Sequence, residues 1–133
     1  MKRRAALSVM LALDDVPVAA AWYQAALGAE LRWDLGSVAG LDIDGAPLLL
    51  GQPADNGWLS PKTVGTTTTR IELFVDDPDA FIGRAVRTGA IPVDPVETYE
   101  MPWGHHRQGT FLDPFGHLWF VGDHTPLDAI GDQ

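Results

Sequence analysis

The chain contains no cysteine. This absence excludes disulfides, thiolate zinc sites and a cysteine nucleophile, so a metal ion could be bound only through oxygen and nitrogen ligands. Positive charge is also scarce, because nine Lys and Arg residues stand against 18 Asp and Glu residues and leave a net charge of −9. Such an excess of negative charge disfavours nucleic acid as a partner and mildly favours cationic ligands.

Long apolar runs are missing as well. No segment approaches the roughly 20 apolar residues that cross a membrane. The segment after the basic residues 2–4 is interrupted by Asp14 and Asp15 before a secretory core is complete. We therefore expect a cytoplasmic protein without a membrane partner, and 133 residues with 46% apolar content predict one globular domain.

Two stretches of the chain repeat one pattern at an offset of 62 residues. Residues 8–15, Ser-Val-Met-Leu-Ala-Leu-Asp-Asp, align with residues 70–77, Arg-Ile-Glu-Leu-Phe-Val-Asp-Asp, with the apolar alternation in phase. Each copy predicts a strand followed by a helix. The residues that suit the ends of these helices are Asp15 and Asp77 as N-caps, Pro17 and Pro78 in the first turn, and Gly28 and Gly89 at the left-handed exit.

A second correspondence predicts two hairpins. Residues 41–45 align with residues 112–116 at an offset of 71, and both contain turn residues between apolar runs. The two repeats together predict two βαβββ modules at about residues 7–51 and 69–122. Residues 52–68 are then a connecting segment, and the tail at residues 123–133 is expected to be irregular.

The segment from Trp103 to Trp119 reads as a loop, a short strand, an Asp-Pro-Phe-Gly turn and a second strand. In this order it resembles the glyoxalase, bleomycin-resistance and extradiol-dioxygenase superfamily, also called vicinal oxygen chelate proteins. The resemblance implies an α+β fold in which the two modules form a cupped mixed sheet, with helices on the convex face and a cavity on the concave face. It also implies a homodimer.

Strand alternation predicts which side chains face this cavity, because successive residues point to opposite sides of a sheet. Arg70, Glu72 and Phe74 form one stripe of the second repeat, opposite the apolar stripe at residues 71, 73 and 75. We expect the first stripe to face the cavity. In the first repeat, Ser8 and Met10 are expected on the corresponding face.

Metal-dependent members of the superfamily bind their ion through the first and last strand of each module. The resemblance assigns those positions to Ser8, Leu49, Arg70 and Phe120. None is a usual metal ligand, and a cation at Arg70 opposes a divalent ion. The prediction is therefore a protein with no metal and no cofactor. The four histidines, at positions 105, 106, 117 and 124, are interpreted as loop or surface residues.

A cavity without a metal offers aromatic walls and a few charged groups to a ligand. Arg70 is expected to meet an anionic or carbonyl oxygen and Glu72 to accept a hydrogen bond, unless the two pair only with each other. Trp22 and Trp119 are expected in the core instead. The predicted ligand-binding residues are Met10, Trp33, Trp58, Arg70, Glu72, Phe74, Trp103 and Phe120.

The leading hypothesis is a metal-free small-molecule-binding protein that sequesters an antibiotic or metabolite, with a cationic or aromatic ligand. Sequestration requires affinity but no transition-state stabilisation. The alternative is a lyase, isomerase or dioxygenase of the same fold, either metal-dependent or using Glu72 as a base. A third possibility is a module that uses the fold for protein association alone.

Overall fold

The computed structural model describes residues 2–131 and divides into two compact units, residues 1–64 and 65–133. The fold is α+β, and each unit contains a mixed β-sheet with helix packing. None of the helices among residues 2–131 is long and apolar enough to cross a bilayer.

The first unit forms a four-stranded sheet in the order β1-β4-β3-β2. Strands β1 and β4 are parallel and the other pairs are antiparallel, so the unit follows the predicted βαβββ order. Its elements are β1 (Met10–Ala12), α1 (Val16–Leu27), β2 (Glu30–Asp34), β3 (Val38–Ile43), β4 (Ala46–Gly51) and a short helix α2 (Pro61–Val64).

The second unit repeats this topology with one addition. Strand β5 lies parallel to β9, and β9 is antiparallel to β8. Two strands, β6 and β7, pair with β8 where the first unit has only β2 beside β3. The elements are β5 (Arg70–Phe74), α3 (Pro78–Arg87), β6 (Ile91–Pro92), β7 (Glu97–Met101), β8 (Gly104–Leu112), β9 (Leu118–Gly122) and α4 (Thr125–Ile130).

Both helix starts occur where the repeat predicts them. The Asp15 carboxylate accepts a hydrogen bond from Val18 N, and the Asp77 carboxylate accepts one from Ala80 N, each at 3.1 Å. Helix α1 ends at Gly28, whose φ of 66° is left-handed. These side-chain acceptors satisfy backbone N–H groups that the helix itself leaves unpaired.

Both predicted hairpins are present as well. Asp44 and Gly45 have φ values of 48° and 94° and join β3 to β4 in a two-residue turn, the geometry that Asp-Gly favours. In the second hairpin, Asp113 accepts hydrogen bonds from the backbone N–H groups of Phe115 and His117 and from the Trp119 indole. One buried carboxylate therefore fixes the Asp-Pro-Phe-Gly turn.

The helix-facing stripes form a separate core in each unit. In the first unit Leu11, Leu41 and Leu50 are buried beside Tyr23 of α1. In the second unit Trp119 is buried and its ring stacks on Phe111 at 6.0 Å, as its predicted core position requires. Trp22 was also expected in the core, but it is only partly buried.

The C-terminal tail differs from its prediction as an irregular end. Residues 125–130 form helix α4, which packs against β8 without burying any of its own side chains. Asp123 anchors the start of this helix, since its carboxylate accepts hydrogen bonds from Thr125 N and from the Thr125 hydroxyl. Residues 132 and 133, which complete the predicted tail, lie outside the described part of the chain.

Candidate ligand-binding faces

An Arg-Glu ion pair lies on the face of β5 opposite the helix-facing stripe. Arg70 donates to Glu72 Oε2 at 2.5 Å, and the two side chains are 48% and 43% exposed. The guanidinium carbon of Arg70 lies 4.8 Å from the ring centroid of Phe120, in the range of a cation–π contact. The pair that the sequence suggested is therefore formed, and it remains open to solvent.

Phe120 is the centre of an aromatic cluster on this face. Its ring is buried and packs edge-on against partly buried Phe74, with centroids 6.0 Å apart. On another side it stacks against the imidazole of His106 at 5.9 Å, with the two planes 26° apart. The structure thus brings together Arg70, Glu72, Phe74 and Phe120. It adds His106, which the sequence predicted to be a loop or surface residue.

The interpretation of His106 as a loop or surface residue was wrong. Strand β8 begins at Gly104, since the preceding strand β7 pairs with its first half, and the Tyr99↔His106 pair lies within that ladder. Only 1% of the His106 side chain is exposed, whereas adjacent His105 points away into solvent and pairs with Glu100. His117 is buried but lies in the loop between β8 and β9, so the loop-or-surface interpretation is wrong for His106 alone.

The two nitrogens of His106 have different surroundings. Nδ1 lies 2.6 Å from Asp123 Oδ1 and 3.1 Å from the Thr125 hydroxyl. Nε2 is buried and has no hydrogen-bond partner among residues 2–131. A polar atom in this state costs about 1–3 kcal/mol, so it points to a missing partner.

Asp123 is held as an anion. Burial raises the pKa of its carboxyl, but hydrogen bonds from Arg107 N, the Thr125 hydroxyl, His106 and Thr125 N outweigh this effect and hold the pKa well below its usual range. An ionised carboxylate only accepts hydrogen bonds. His106 Nδ1 is therefore the donor to Asp123.

The first unit has an aromatic face of its own, built over two glycines. The Trp33 indole lies against Gly40, where a Cβ would meet it at 2.3 Å. Trp58 and the Met10 sulfur meet over Gly51, 3.1 Å and 2.8 Å from the position of a Cβ there. Trp33 is 43% exposed and Trp58 is partly buried, so both indoles present surface to solvent.

Trp103 does not join the Phe120 cluster. It lies in the turn between β7 and β8 and is 45% exposed. Thr110, which pairs with Phe120, is seven residues further along the chain. Because a strand rises about 3.3 Å per residue, the Trp103 backbone lies roughly 20 Å from that pair.

The four positions that the resemblance predicts as metal ligands supply no suitable donors. Ser8 precedes β1, Leu49 lies on β4, Arg70 is paired with Glu72, and the Phe120 ring contacts the Arg70 guanidinium. Within residues 2–131, no three His, Asp or Glu side chains are grouped closely enough to bind a metal ion. A divalent ion needs several convergent oxygen or nitrogen donors, so these residues do not fit one.

Comparison with known proteins gives a consistent result. A model of the glyoxalase-like domain family matches residues 8–121. An uncharacterised protein of Mycobacterium bovis is 35% identical over 130 residues, covering 88% of this chain and 82% of that protein.

Solved structures are similar over most of the chain. TioX from Micromonospora sp. ML1 superposes with a TM-score of 0.70 at 26% identity, covering 90% of this chain and 95% of TioX. A Sphaerobacter thermophilus member of the glyoxalase/bleomycin resistance protein/dioxygenase superfamily also has a TM-score of 0.70, at 23% identity, covering 91% of this chain and 98% of that one.

Proposed function

Because the chain belongs to the glyoxalase-like domain family, within the glyoxalase/bleomycin resistance/dioxygenase superfamily, we propose that it binds a planar aromatic small molecule without a resident metal ion. Its role is to sequester an antibiotic or metabolite. The superfamily relationship supports small-molecule binding in general. The side chains around Phe120 support a planar ligand and binding without a metal ion.

The observation that carries this proposal is the contact between Arg70 and Phe120. The guanidinium lies 4.8 Å from the ring centroid and is half-exposed, at a position where a metal-dependent relative would have a ligand. A half-exposed guanidinium binds an oxygen acceptor through its N–H groups, and the partly buried Phe74 ring, which packs edge-on against Phe120, offers a flat molecule an apolar surface beside it. Since Glu72 already neutralises Arg70, a neutral carbonyl oxygen suits this position better than an anion.

The solvent-exposed indoles of the first unit support the same ligand class. Gly40 and Gly51 leave room for Trp33 and Trp58 to lie against the sheet, and flat indole surfaces stack on planar molecules. We propose Trp33, Trp58 and Met10 as ligand contacts, and Trp103 as a further contact at its hairpin tip. A homodimer and a cytoplasmic location stay predictions.

A titration of the purified protein with planar aromatic carbonyl compounds, followed by tryptophan fluorescence, tests the proposal. Replacing Arg70 with Met should weaken binding about tenfold, because one hydrogen bond to a charged donor is lost. The matched control is Arg87→Met, which removes the same charge from the exposed end of α3. Equal affinity of both variants and wild type would exclude Arg70 as a contact.

The metal-free part of the proposal has a separate test. Protein purified without a histidine tag should contain no stoichiometric iron, manganese, nickel or zinc by plasma mass spectrometry, and ligand affinity should be unchanged by a chelator. A metal ion present at one equivalent per chain, with binding lost on its removal, would overturn it.

An enzyme of the same fold is the second candidate, and one observation favours it. The carboxylate of Glu72 is occupied by Arg70, but the buried His106–Asp123 pair leaves Nε2 with the orientation of a general base. Turnover of a bound compound that is abolished in His106→Phe and retained in Glu72→Gln would make this the function.

A further inference from the structure

One edge of the His106 imidazole carries Nε2, the buried nitrogen that has no hydrogen-bond partner among residues 2–131. This edge lies above Gly122, where a Cβ would be 2.8 Å from Cε1 and 3.1 Å from Nε2. A side chain of any size at Gly122 would displace the ring. The imidazole therefore occupies space that is free only because residue 122 is a glycine.

This edge belongs to the same face as the Arg70 cluster. Gly122 follows Phe120 by two residues on β9, so the space above Gly122 lies on the same side of the sheet as the Phe120 side chain. Gly122 pairs with Phe74 of β5, and the Phe74 ring is only partly buried. Phe120 stacks on the imidazole and the Thr125 hydroxyl lies beside Nδ1, so neither satisfies Nε2, and the approach that a ligand requires is past the partly buried Phe74 ring.

The hydrogen-bonding role of Nε2 follows from Asp123. The carboxylate is an anion and accepts from Nδ1, so in the neutral ring the single proton is on Nδ1. Nε2 then carries a lone pair and acts as an acceptor. A ligand that satisfies it must offer a hydroxyl or an N–H group.

We propose that His106 Nε2 is a second, specificity-determining contact of the ligand site, and that the ligand is a hydroxylated or N–H-bearing aromatic carbonyl compound. The proposal rests on the proposed function and extends it. The carbonyl oxygen binds Arg70, the ring plane lies against the Phe120 cluster, and the hydroxyl or N–H at the far edge donates to Nε2. Asp123 is a positioning residue, because it fixes the ring without touching the ligand.

The size of such a ligand is set by Phe120. The Arg70 guanidinium carbon is 4.8 Å and the His106 ring centroid 5.9 Å from the same Phe120 centroid. A compound of one or two fused rings is therefore the scaffold that we propose between these two polar groups. Larger scaffolds are compatible only if they present a carbonyl and a hydrogen-bond donor at a similar separation.

Three coumarins test the proposal on the full chain at pH 7. They are 7-hydroxycoumarin, 7-methoxycoumarin and coumarin itself, which share the carbonyl and differ only at the opposite edge. The hydroxyl compound should bind wild-type protein about tenfold more tightly than the other two, because it satisfies a buried acceptor that they leave unpaired. In His106→Phe, which keeps an aromatic ring over Phe120, the ratio of the affinities for coumarin and 7-hydroxycoumarin should approach one.

The matched control is His105→Gln, since His105 is the adjacent histidine but is exposed on the other side of β8. It should keep the tenfold preference. Asp123→Asn should reduce the preference without abolishing coumarin binding, and nitrogen NMR of the imidazole should show the tautomer shifting away from Nδ1–H. A merely structural role of Asp123 would leave the tautomer unchanged.

The outcomes separate this inference from the function on which it rests. If all three coumarins bind wild type with equal affinity, the contact to Nε2 is wrong while aromatic binding stands. If His106→Phe retains the preference for the hydroxyl, another group accepts it and the inference is overturned. If no coumarin binds, both the proposed ligand class and the inference fail.

Discussion

At the scale of single residues, small side chains determine where the large ones lie. Gly122 is the position with the least room for adjustment. Its ideal Cβ would be 2.8 Å from the His106 ring, and this ring is almost fully buried. An exposed ring could rotate away, but this one is enclosed by Phe120 and α4. The strand can therefore tolerate only glycine there without rearrangement.

We expect Gly122→Ala to lower the free energy of unfolding by about 1–3 kcal/mol, the usual penalty for overpacking a core. Urea denaturation measures it. Gly83→Ala in α3 is the control, since a Cβ there meets only the flexible end of Arg87 at 3.2 Å and alanine favours the helix by up to about 1 kcal/mol. Combining Gly122→Ala with His106→Ala should remove most of the penalty, and a penalty unchanged in the pair would contradict the steric explanation.

At the scale of helices and strands, paired aspartates at corresponding places have unequal effects. Asp77 caps α3 through Ala80 N, whereas neighbouring Asp76 is fully exposed and lies 3.4 Å from a nitrogen of half-exposed His124. Only the first of these satisfies a helix N–H group. In the first repeat Asp15 likewise caps α1, but Asp14 differs from Asp76 because it accepts a hydrogen bond from the buried Ser60 hydroxyl at 2.6 Å.

Asp77→Ala should therefore destabilise the protein by about 1 kcal/mol, because a cap is lost. Asp76→Ala should change stability by less than about 0.5 kcal/mol, because it removes only a surface ion pair. Thermal unfolding of both variants at one pH checks the difference. Equal effects would mean that charge, and not the cap, is responsible.

The sequence predicts the repeated elements well because local rules determine them. Alternation gives the strands, an N-cap aspartate with a proline in the first turn gives the helix starts, and Asp44-Gly45 gives a two-residue turn. His106 was missed because its environment depends on Phe120 and Asp123, which lie more than ten residues further along the chain. One signal was available: alternation extended backwards from the core residue Phe111 puts position 106 on the opposite face, beside Phe120. Helix α4 was missed since no buried apolar stripe marks it.

At the scale of the whole molecule, stability depends on pH through Asp123. Its pKa is lowered in the folded protein from an ordinary value of 3.8, so the folded state favours the carboxylate. This contribution is fully present above the unfolded pKa. It is lost as the pH falls below about 4 toward the folded pKa.

Asp123→Asn isolates this contribution from the other acidic groups of a chain with a net charge of −9. At pH 7 we expect the variant to be less stable than wild type by about 1–3 kcal/mol, since hydrogen bonds to a charged acceptor are weakened. Urea unfolding at pH 7, 5, 4 and 3.5 should show the gap narrowing below pH 4. A gap that is constant with pH would mean that Asp123 is not ionised in the folded state as described.

The anchoring of α4 has a practical consequence. Asp123 holds both the His106 ring and Thr125, so the orientation of the imidazole and the attachment of the terminal helix share one carboxylate. Because the chain has no native thiol, Ile130→Cys would create a unique labelling position on a side chain that is 77% exposed. A dye attached there would act as an optical reporter of events at the imidazole, and would turn this small protein into a sensor for the ligand proposed above.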